Sequence, residues 1–260
     1  MSTGPIHTSI HDRIGEVVLD HPPVNALDSA GWNELARVIA GVGSNPEVRV
    51  VLIRAVGRGF CAGVDLKEMQ QHPERIVELN RGNFLTFKAV RACEVPVITA
   101  VQGFVVGGGI GICGASDVIL AAEDAFFSLP EIDRGAMGGA AHLSRMLPLH
   151  KVRAAFFTGG RIPAAEAWRL GAVEKLIPLE RLHEEASAFA AAIALKSRTA
   201  LRLAKEALNG IEPADVDRLY RFEQGFTLEM YLHEDSQRAR DAFVENKGAA
   251  APVTAKIRGD

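Results

Sequence analysis

The sequence predicts an α/β core followed by a helical C-terminal region. Two observations carry this reading. Residues 48–53, 96–101 and 117–121 are short, almost continuously apolar runs, as strands buried on both faces should be. Helical patterns lie between them, and strand–helix–strand alternation implies parallel pairing with helices over the sheet. After Gly138 the pattern turns mainly helical.

Residues 9–20 read as a short hairpin, with turn residues around Asp12, Arg13 and Gly15 and with Ile14, Val17, Val18 and Leu19 as strand formers. Asp28 is a helix N-cap, and Trp32, Leu35, Ala36 and Ile39 follow at helical spacing. Asn45-Pro46 marks a turn before the first buried strand. Residues 57–63 form a glycine-containing loop. Residues 76–91 are a helix with Ile76, Leu79, Phe84, Phe87 and Val90 near one stripe. A tightly packed helix opens at the glycine triplet and covers 107–115. Residues 140–157, 163–170, 179–195 and 197–208 are helical, with one short strand within 172–177. One or two more helices cover 218–246.

A length of 260 residues suits one large domain, or one domain with a small appendage. Hydrophobic residues make up 48% and charged residues 23%, as in ordinary soluble domains. The net charge of −3 gives no reason to expect nucleic acid or an acidic membrane as partner. The three cysteines, Cys61, Cys93 and Cys113, lack metal-type spacing and do not suit a disulfide framework. Residues 1–11 lack the basic-then-apolar pattern of a signal peptide. The expectation is a cytoplasmic protein.

Three segments carry chemistry. The first is Gly59-Phe60-Cys61-Ala62-Gly63-Val64-Asp65-Leu66-Lys67-Glu68-Met69. Small residues at Ala62 and Gly63 let a ligand approach the main chain. Asp65 caps a helix starting near Leu66, so the N–H of Val64 sits where negative charge is favoured. Alone, the segment also reads as an ordinary strand–turn–helix connection. The second is Gly103-Phe104-Val105-Val106-Gly107-Gly108-Gly109-Ile110-Gly111. Three glycines at a helix start weaken the helix, which makes sense if their N–H groups meet a ligand or the helix packs very closely. The third is Phe127-Ser128-Leu129-Pro130-Glu131, where a proline fixes the chain just before a carboxylate. Glu131 is a candidate acid or base; a surface glutamate paired with Arg134 is the plainer alternative.

Taken together, in this order and at these separations, the segments resemble the crotonase (enoyl-CoA hydratase/isomerase) superfamily. Pro22-Pro23-Val24-Asn25-Ala26-Leu27, the run 158–167, Gly171-Ala172-Val173 and Ala242-Phe243-Val244-Glu245 resemble its other landmarks. The resemblance covers roughly residues 10–247. It implies a spiral of ββα units over residues 1–195 and a helical trimerisation region over 196–260. It implies an oxyanion hole made by the main-chain N–H groups of Val64 and Gly108, binding the thioester oxygen of an enolate. On this reading a Cβ at Gly108 obstructs the thioester. Coenzyme A, carried by the substrate and not as a prosthetic group, lies along Pro23, Val24, Ala62, Asp65, Leu66 and Lys67, with Phe243 and Lys247 closing over the nucleotide. The expected partners are an acyl-CoA substrate and further copies of the chain, as a trimer or a dimer of trimers.

The family's hydratases hold a water between two glutamates. Here the second is Glu131, while the first falls on Gly111. One carboxylate still suffices to shuttle a proton in an enolate isomerase, or to activate water for carbon–carbon bond hydrolysis. Asp133 and His142 are candidate substitutes for the missing group, with helix capping or pairing to Arg134 as structural alternatives. Gly111, residues 132–143 and the run 220–227 resemble the hydrolases that open a β-dicarbonyl acyl-CoA ring in bacterial steroid catabolism. A generic hydratase or isomerase, and an acyl-CoA-binding homologue without catalysis, are the competing readings. Trp32, Met69, Phe84, Phe87, Met137 and Leu143 are candidate pocket residues, though a core role explains most of them.

Overall fold

The computed structural model describes residues 4–245. A hairpin of β1 (Ile6–His11) and β2 (Ile14–Leu19) opens the chain. Its two-residue turn is Asp12-Arg13, both at positive φ, which suits the twist of the paired strands. Gly15 lies inside β2, and β1 begins before Ser9. Asp28 caps α1 (Ser29–Ser44) by accepting from the N–H of Gly31 at 2.7 Å.

The larger sheet has the order β1-β2-β3-β4-β6-β9, adding β3 (Val50–Ala55), β4 (Val97–Val101), β6 (Val118–Ala122) and β9 (Lys175–Ile177). All pairings after the hairpin are parallel. Both faces are covered. α1 and α3 (Ile76–Arg91) pack against each other on one side. On the other, α8 (Leu182–Ala194) lays Leu182, Ala186, Ala190 and Ala194 against Ile14, Val50, Leu52, Ile98 and Leu120. Double coverage explains why every residue of β2 and β4 is buried.

A second, three-stranded sheet has the order β5-β7-β8: β5 (Phe104–Val106), β7 (Phe126–Ser128) and β8 (Arg161–Pro163). These strands are too short to show alternation, and the sequence pattern missed them. They explain the spiral. After β4 the chain runs through β5 into α4 (Gly108–Ala115); after β6 it runs through β7 toward α5 (Ala140–Met146). Each turn is two strands, one per sheet, and a helix. The segment after β3 follows the same path through a parallel bridge of Cys61 with Val105, leading to α2 (Leu66–Gln71).

The expected helix over 140–157 is broken at Pro148 into α5 and α6 (Leu149–Thr158). Leu147, just before the proline, is extended, as the ring requires. α7 (Ala164–Arg169), α9 (Arg198–Ile211), α10 (Val216–Tyr231) and α11 (Glu234–Glu245) complete the described chain. Lys205 of α9 is buried and reaches Asp117 at 2.7 Å and the carbonyls of Val90 and Val95. α10 folds back onto α3 and α5, with Tyr220 packed against Phe87 and His142. No helix among the described residues is long and apolar enough to cross a membrane.

Candidate active site

The glycine-containing turns that follow β3 and β5 meet. Residues 62–65 are pinned to the N-terminal loop: Ala62 N–H donates to Val24 O, Leu27 N–H to Gly63 O, and Asp65 N–H to Leu27 O. Asn25 supports that loop by donating to the carbonyls of Val56 and Gly59. Asp65 caps α2, accepting from Lys67 N–H at 2.8 Å. Gly63 has φ +90° and Gly107 φ +55°, conformations that disfavour a side chain. A side chain would also crowd its neighbours. A Cβ on Gly63 falls 3.3 Å from Gly108 N, and a Cβ on Gly107 falls 2.5 Å from Oε1 of Glu131.

The glycines therefore bring together the main chain of residues 63–64, the start of α4 and the Glu131 carboxylate. Val64, Gly108 and Glu131 line one cavity. Among the described residues, neither the N–H of Val64 nor that of Gly108 has a protein acceptor. A Cβ on Gly108 meets the Trp32 ring at 2.5 Å and lies 3.5 Å from Asn83 Oδ1, so close packing alone already requires this glycine.

Glu131 opens a short 3₁₀ turn set by Pro130. The residue is partly exposed overall, but its Oε2 is shut off from solvent and has no partner. Burial raises its carboxyl to about 8, with the Arg134 cation pulling the other way. No ion pair joins Glu131 to Arg134 among the described residues; Arg134 instead stacks on the Phe243 ring at 4.6 Å and faces the cavity. Among the described residues that line the cavity, Glu131 is the one carboxylate.

Gly111 explains the absence of a second. A Cβ there meets three atoms of the Phe87 ring at 2.2–2.5 Å. Phe87, buried in the core, fills the space that a carboxylate at position 111 needs.

Neither substitute fits. Asp133 is exposed on the 3₁₀ turn, beside Gly159, and does not line the cavity. His142 is fully buried behind Phe87 and Tyr220, with neither ring nitrogen partnered. Burial, with the charges of Arg145 and Arg91, pushes it down to about 3, so it is neutral.

Ala62 and Leu66 line the cavity, and Val24 is held beside Ala62. Pro23 adjoins Val24 in the same loop, and Lys67 is exposed on the first turn of α2. Lys247 lies outside the described residues. Of the candidate pocket residues, Phe87 and Met137 line the cavity, whereas Trp32, Met69 and Leu143 belong to the core. Phe84 packs against that core under Lys88 and Arg221. Sequence reasoning missed Asn80 and Asn83 on α3, Arg134, and Tyr220, Thr227 and Tyr231 on α10. The two asparagines left a signal, since they interrupt the apolar stripe of α3. On α10, Tyr220 and Thr227 fall within the run 220–227 that resembles the hydrolases, but nothing local shows that this helix returns to the cavity.

A strand–strand–helix spiral whose glycine turns hold two free N–H groups beside a buried carboxylate defines a class: enzymes that stabilise negative charge developing on a bound carbonyl oxygen. The family model for enoyl-CoA hydratase/isomerase matches residues 9–250. The chain is 48% identical over 244 residues to the (7aS)-7a-methyl-1,5-dioxo-2,3,5,6,7,7a-hexahydro-1H-indene-carboxyl-CoA hydrolase of Rhodococcus jostii (strain RHA1), covering 93% of this chain and 95% of that one. It is 49% identical over 240 residues to the enzyme of the same name from Mycobacterium tuberculosis (strain ATCC 25618 / H37Rv), covering 92% and 97%. An enoyl-CoA hydratase structure from Mycobacterium avium subsp. paratuberculosis K-10 superimposes with a TM-score of 0.84 at 24% identity, over 93% of this chain and 99% of that one, and shares the fold. The chain belongs to the enoyl-CoA hydratase/isomerase family and is an acyl-CoA enzyme of the crotonase superfamily.

Proposed function

We propose that this enzyme hydrolyses a carbon–carbon bond in the ring of a cyclic β-dicarbonyl acyl-CoA of the kind met in steroid catabolism; two relatives are named as hydrolases of a dioxo-hexahydroindene-carboxyl-CoA. The observation that carries the reading is the Phe87 ring in the space a second glutamate needs, which leaves Glu131 as the cavity's carboxylate. Water addition to a double bond uses two carboxylates; ring hydrolysis is served by one.

Ionised Glu131 takes a proton from water as the oxygen attacks a ring ketone carbon. The carbon–carbon bond beside that carbon then breaks. Its electron pair is conjugated to the thioester and collects on the thioester oxygen, where the N–H groups of Val64 and Gly108 receive it. Glu131 returns the proton to the carbanionic carbon. The sum is one water consumed, one carboxylic acid formed and one ring opened. Each aimed N–H is worth roughly 3–4 kcal/mol in the transition state.

Mass spectrometry tests this directly. A cyclic β-dicarbonyl CoA thioester gains the mass of one water without losing CoA, and Glu131→Gln slows the reaction at least about a hundredfold. Rapid hydration of crotonyl-CoA with no ring opening refutes the reading in favour of a generic hydratase; acyl-CoA binding with no turnover refutes it in favour of a binding homologue.

We further infer the division at residues 195/196, assembly through the C-terminal helices as a trimer or a dimer of trimers, and CoA held by Ala62, Asp65, Leu66 and Lys67, with Phe243 over the nucleotide. Large apolar side chains left exposed there support assembly, including Ile211, Phe222 and Leu232 at 76%, 71% and 87%. Sedimentation at the mass of a single protomer refutes it. Three buried, unpaired cysteines suit a reducing, cytoplasmic setting.

A further inference from the structure

α3 carries two carboxamides where its face turns to the cavity. Asn80 and Asn83 stand three residues apart, so they share one face of the helix. They are 8% and 5% exposed. Nδ2 of Asn80 and Oδ1 of Asn83 are fully buried and have no hydrogen-bond partner among the described residues. Both residues line the same cavity as Glu131. Asn83 Oδ1 lies 3.5 Å from the position of a Cβ on Gly108, which places it next to an oxyanion donor.

Two unpaired polar atoms on one buried face are costly to the free protein. Folding does not ask for them. Asparagine is a poor helix former, and leucine-sized residues extend the apolar stripe of Ile76, Leu79 and Phe87 without penalty. A hydrocarbon acyl group leaves both amides desolvated and unpaired. An acyl group with its own oxygens satisfies them, because each carboxamide offers N–H donors and a carbonyl acceptor.

We propose that Asn80 and Asn83 form a polar subsite of the acyl pocket that takes a ring oxygen of the substrate, a ketone or hydroxyl away from the thioester. The proposal rests on the reading of a cyclic, oxygenated acyl-CoA substrate and names the residues that select it. The pair holds the ring by that oxygen while the thioester oxygen sits at Val64 and Gly108. A substrate held at both ends presents one ring carbon to the water at Glu131.

The test measures binding in the Glu131→Gln background, where the ring survives titration. The probes are the dioxo-hexahydroindene-carboxyl-CoA and its analogue with both ring ketones replaced by methylene. Asn80→Leu and Asn83→Leu are expected to weaken the dioxo probe about 10- to 100-fold each and to leave the methylene analogue unchanged or tighter. Thermal melting accompanies each variant. Should the variants fail to fold, the Asn80/Asn83-intact protein still decides: it must prefer the dioxo probe at least about tenfold. Equal loss for both probes, no loss for either, or no preference in the intact site overturns the subsite. Ring opening by the wild-type enzyme is assayed separately. Its absence with the preference intact sinks the hydrolase reading and upholds the subsite.

Discussion

Gly111→Ala tests whether Phe87 has displaced the family's first glutamate. In an exposed helix this change stabilises by about 1 kcal/mol, because glycine is the poorer helix former. Here the new Cβ meets Phe87 Cζ at 2.2 Å and Cε1 and Cε2 at 2.5 Å. The ring is hemmed in by three others: its centroid lies 5.9 Å from that of Trp32, 4.7 Å from that of His142 and 5.2 Å from that of Tyr220, so it yields only by disturbing them or by moving into the cavity it borders. Overpacking of this kind costs typically about 1–3 kcal/mol. A contact to three ring atoms at once puts the cost at or beyond the top of that range. The net expectation is a loss of about 2 kcal/mol, or a Tm lower by about 4–8 °C in a chain of this size. Gly111→Glu adds a buried carboxylate and is expected to melt lower still or not to fold. The control is Gly41→Ala on the exposed face of α1, where a Cβ meets nothing within 4 Å and Tm should rise slightly. Phe87→Ala combined with Gly111→Glu should be more stable than the sum of the single losses, because one change vacates the volume the other fills. Circular-dichroism melts and a crotonyl-CoA hydration assay read all of these. A Gly111→Ala protein melting at or above wild type, or a Gly111→Glu single variant that folds normally and hydrates crotonyl-CoA, refutes the reasoning.

The carboxyl of Glu131, raised to about 8 by burial, must be ionised to act as base, so kcat/KM should rise about tenfold per pH unit up to about 8 and then level. A profile flat from pH 6 to 9 contradicts this. Arg134→Met removes the cation that favours the ionised form and should move that limb to higher pH; an unmoved limb shows that the cation does not act on Glu131. Because the folded value lies above the ordinary 4.5, the stability linked to this group is present at low pH and lost as pH rises from about 4.5 through about 8. Glu131→Gln should therefore gain stability over wild type by denaturant titration at pH 8.5 but not at pH 4.5, by an amount on the order of a few kcal/mol; a gain independent of pH excludes the linkage. Lys205→Met leaves two carbonyls and the Asp117 carboxylate without their buried cation and should cost about 2–4 kcal/mol, less than a fully buried pair because Asp117 is 21% exposed and keeps the Val97 N–H. An unchanged denaturation midpoint contradicts it.

The sequence was most legible where one physical demand dominates. Double coverage by helices makes β3, β4 and β6 read as apolar runs, and Asp28 and Asp65 announce α1 and α2 because a cap is a local signal. The glycines that hold Val64 and Gly108 were visible for the same reason: backbone in close contact has no other residue available. What stayed hidden depends on distant contacts. Strands β5, β7 and β8 are three residues each and borrow their order from one another across long separations. His142 looked like a catalytic candidate because a histidine advertises chemistry, whereas burial between two rings is set by α3 and α10. Gly111 was read as a missing carboxylate. Only the tertiary structure shows that its place is taken.

That occupation links three elements. Phe87 on α3 presses on Gly111 of α4, and Tyr220 on α10 presses on Phe87 from behind. α10 is tied down at both ends of this contact: Gln224 donates to the Asn80 carbonyl at 2.7 Å, and Glu223 accepts from the first N–H groups of α5. Thr227 donates to the Met137 carbonyl, holding the segment that follows Glu131. The same helix thus backs the ring that excludes a second carboxylate and anchors the loop beside the first. Restoring a glutamate at position 111 therefore cannot convert the site by itself. Phe87 must shrink, Tyr220 and His142 must repack, and the loop at 136–139 must keep Glu131 in place as they do. The identity of the acid–base group resides in the packing of α3, α4 and α10 as a unit, with Gly111 as its visible trace.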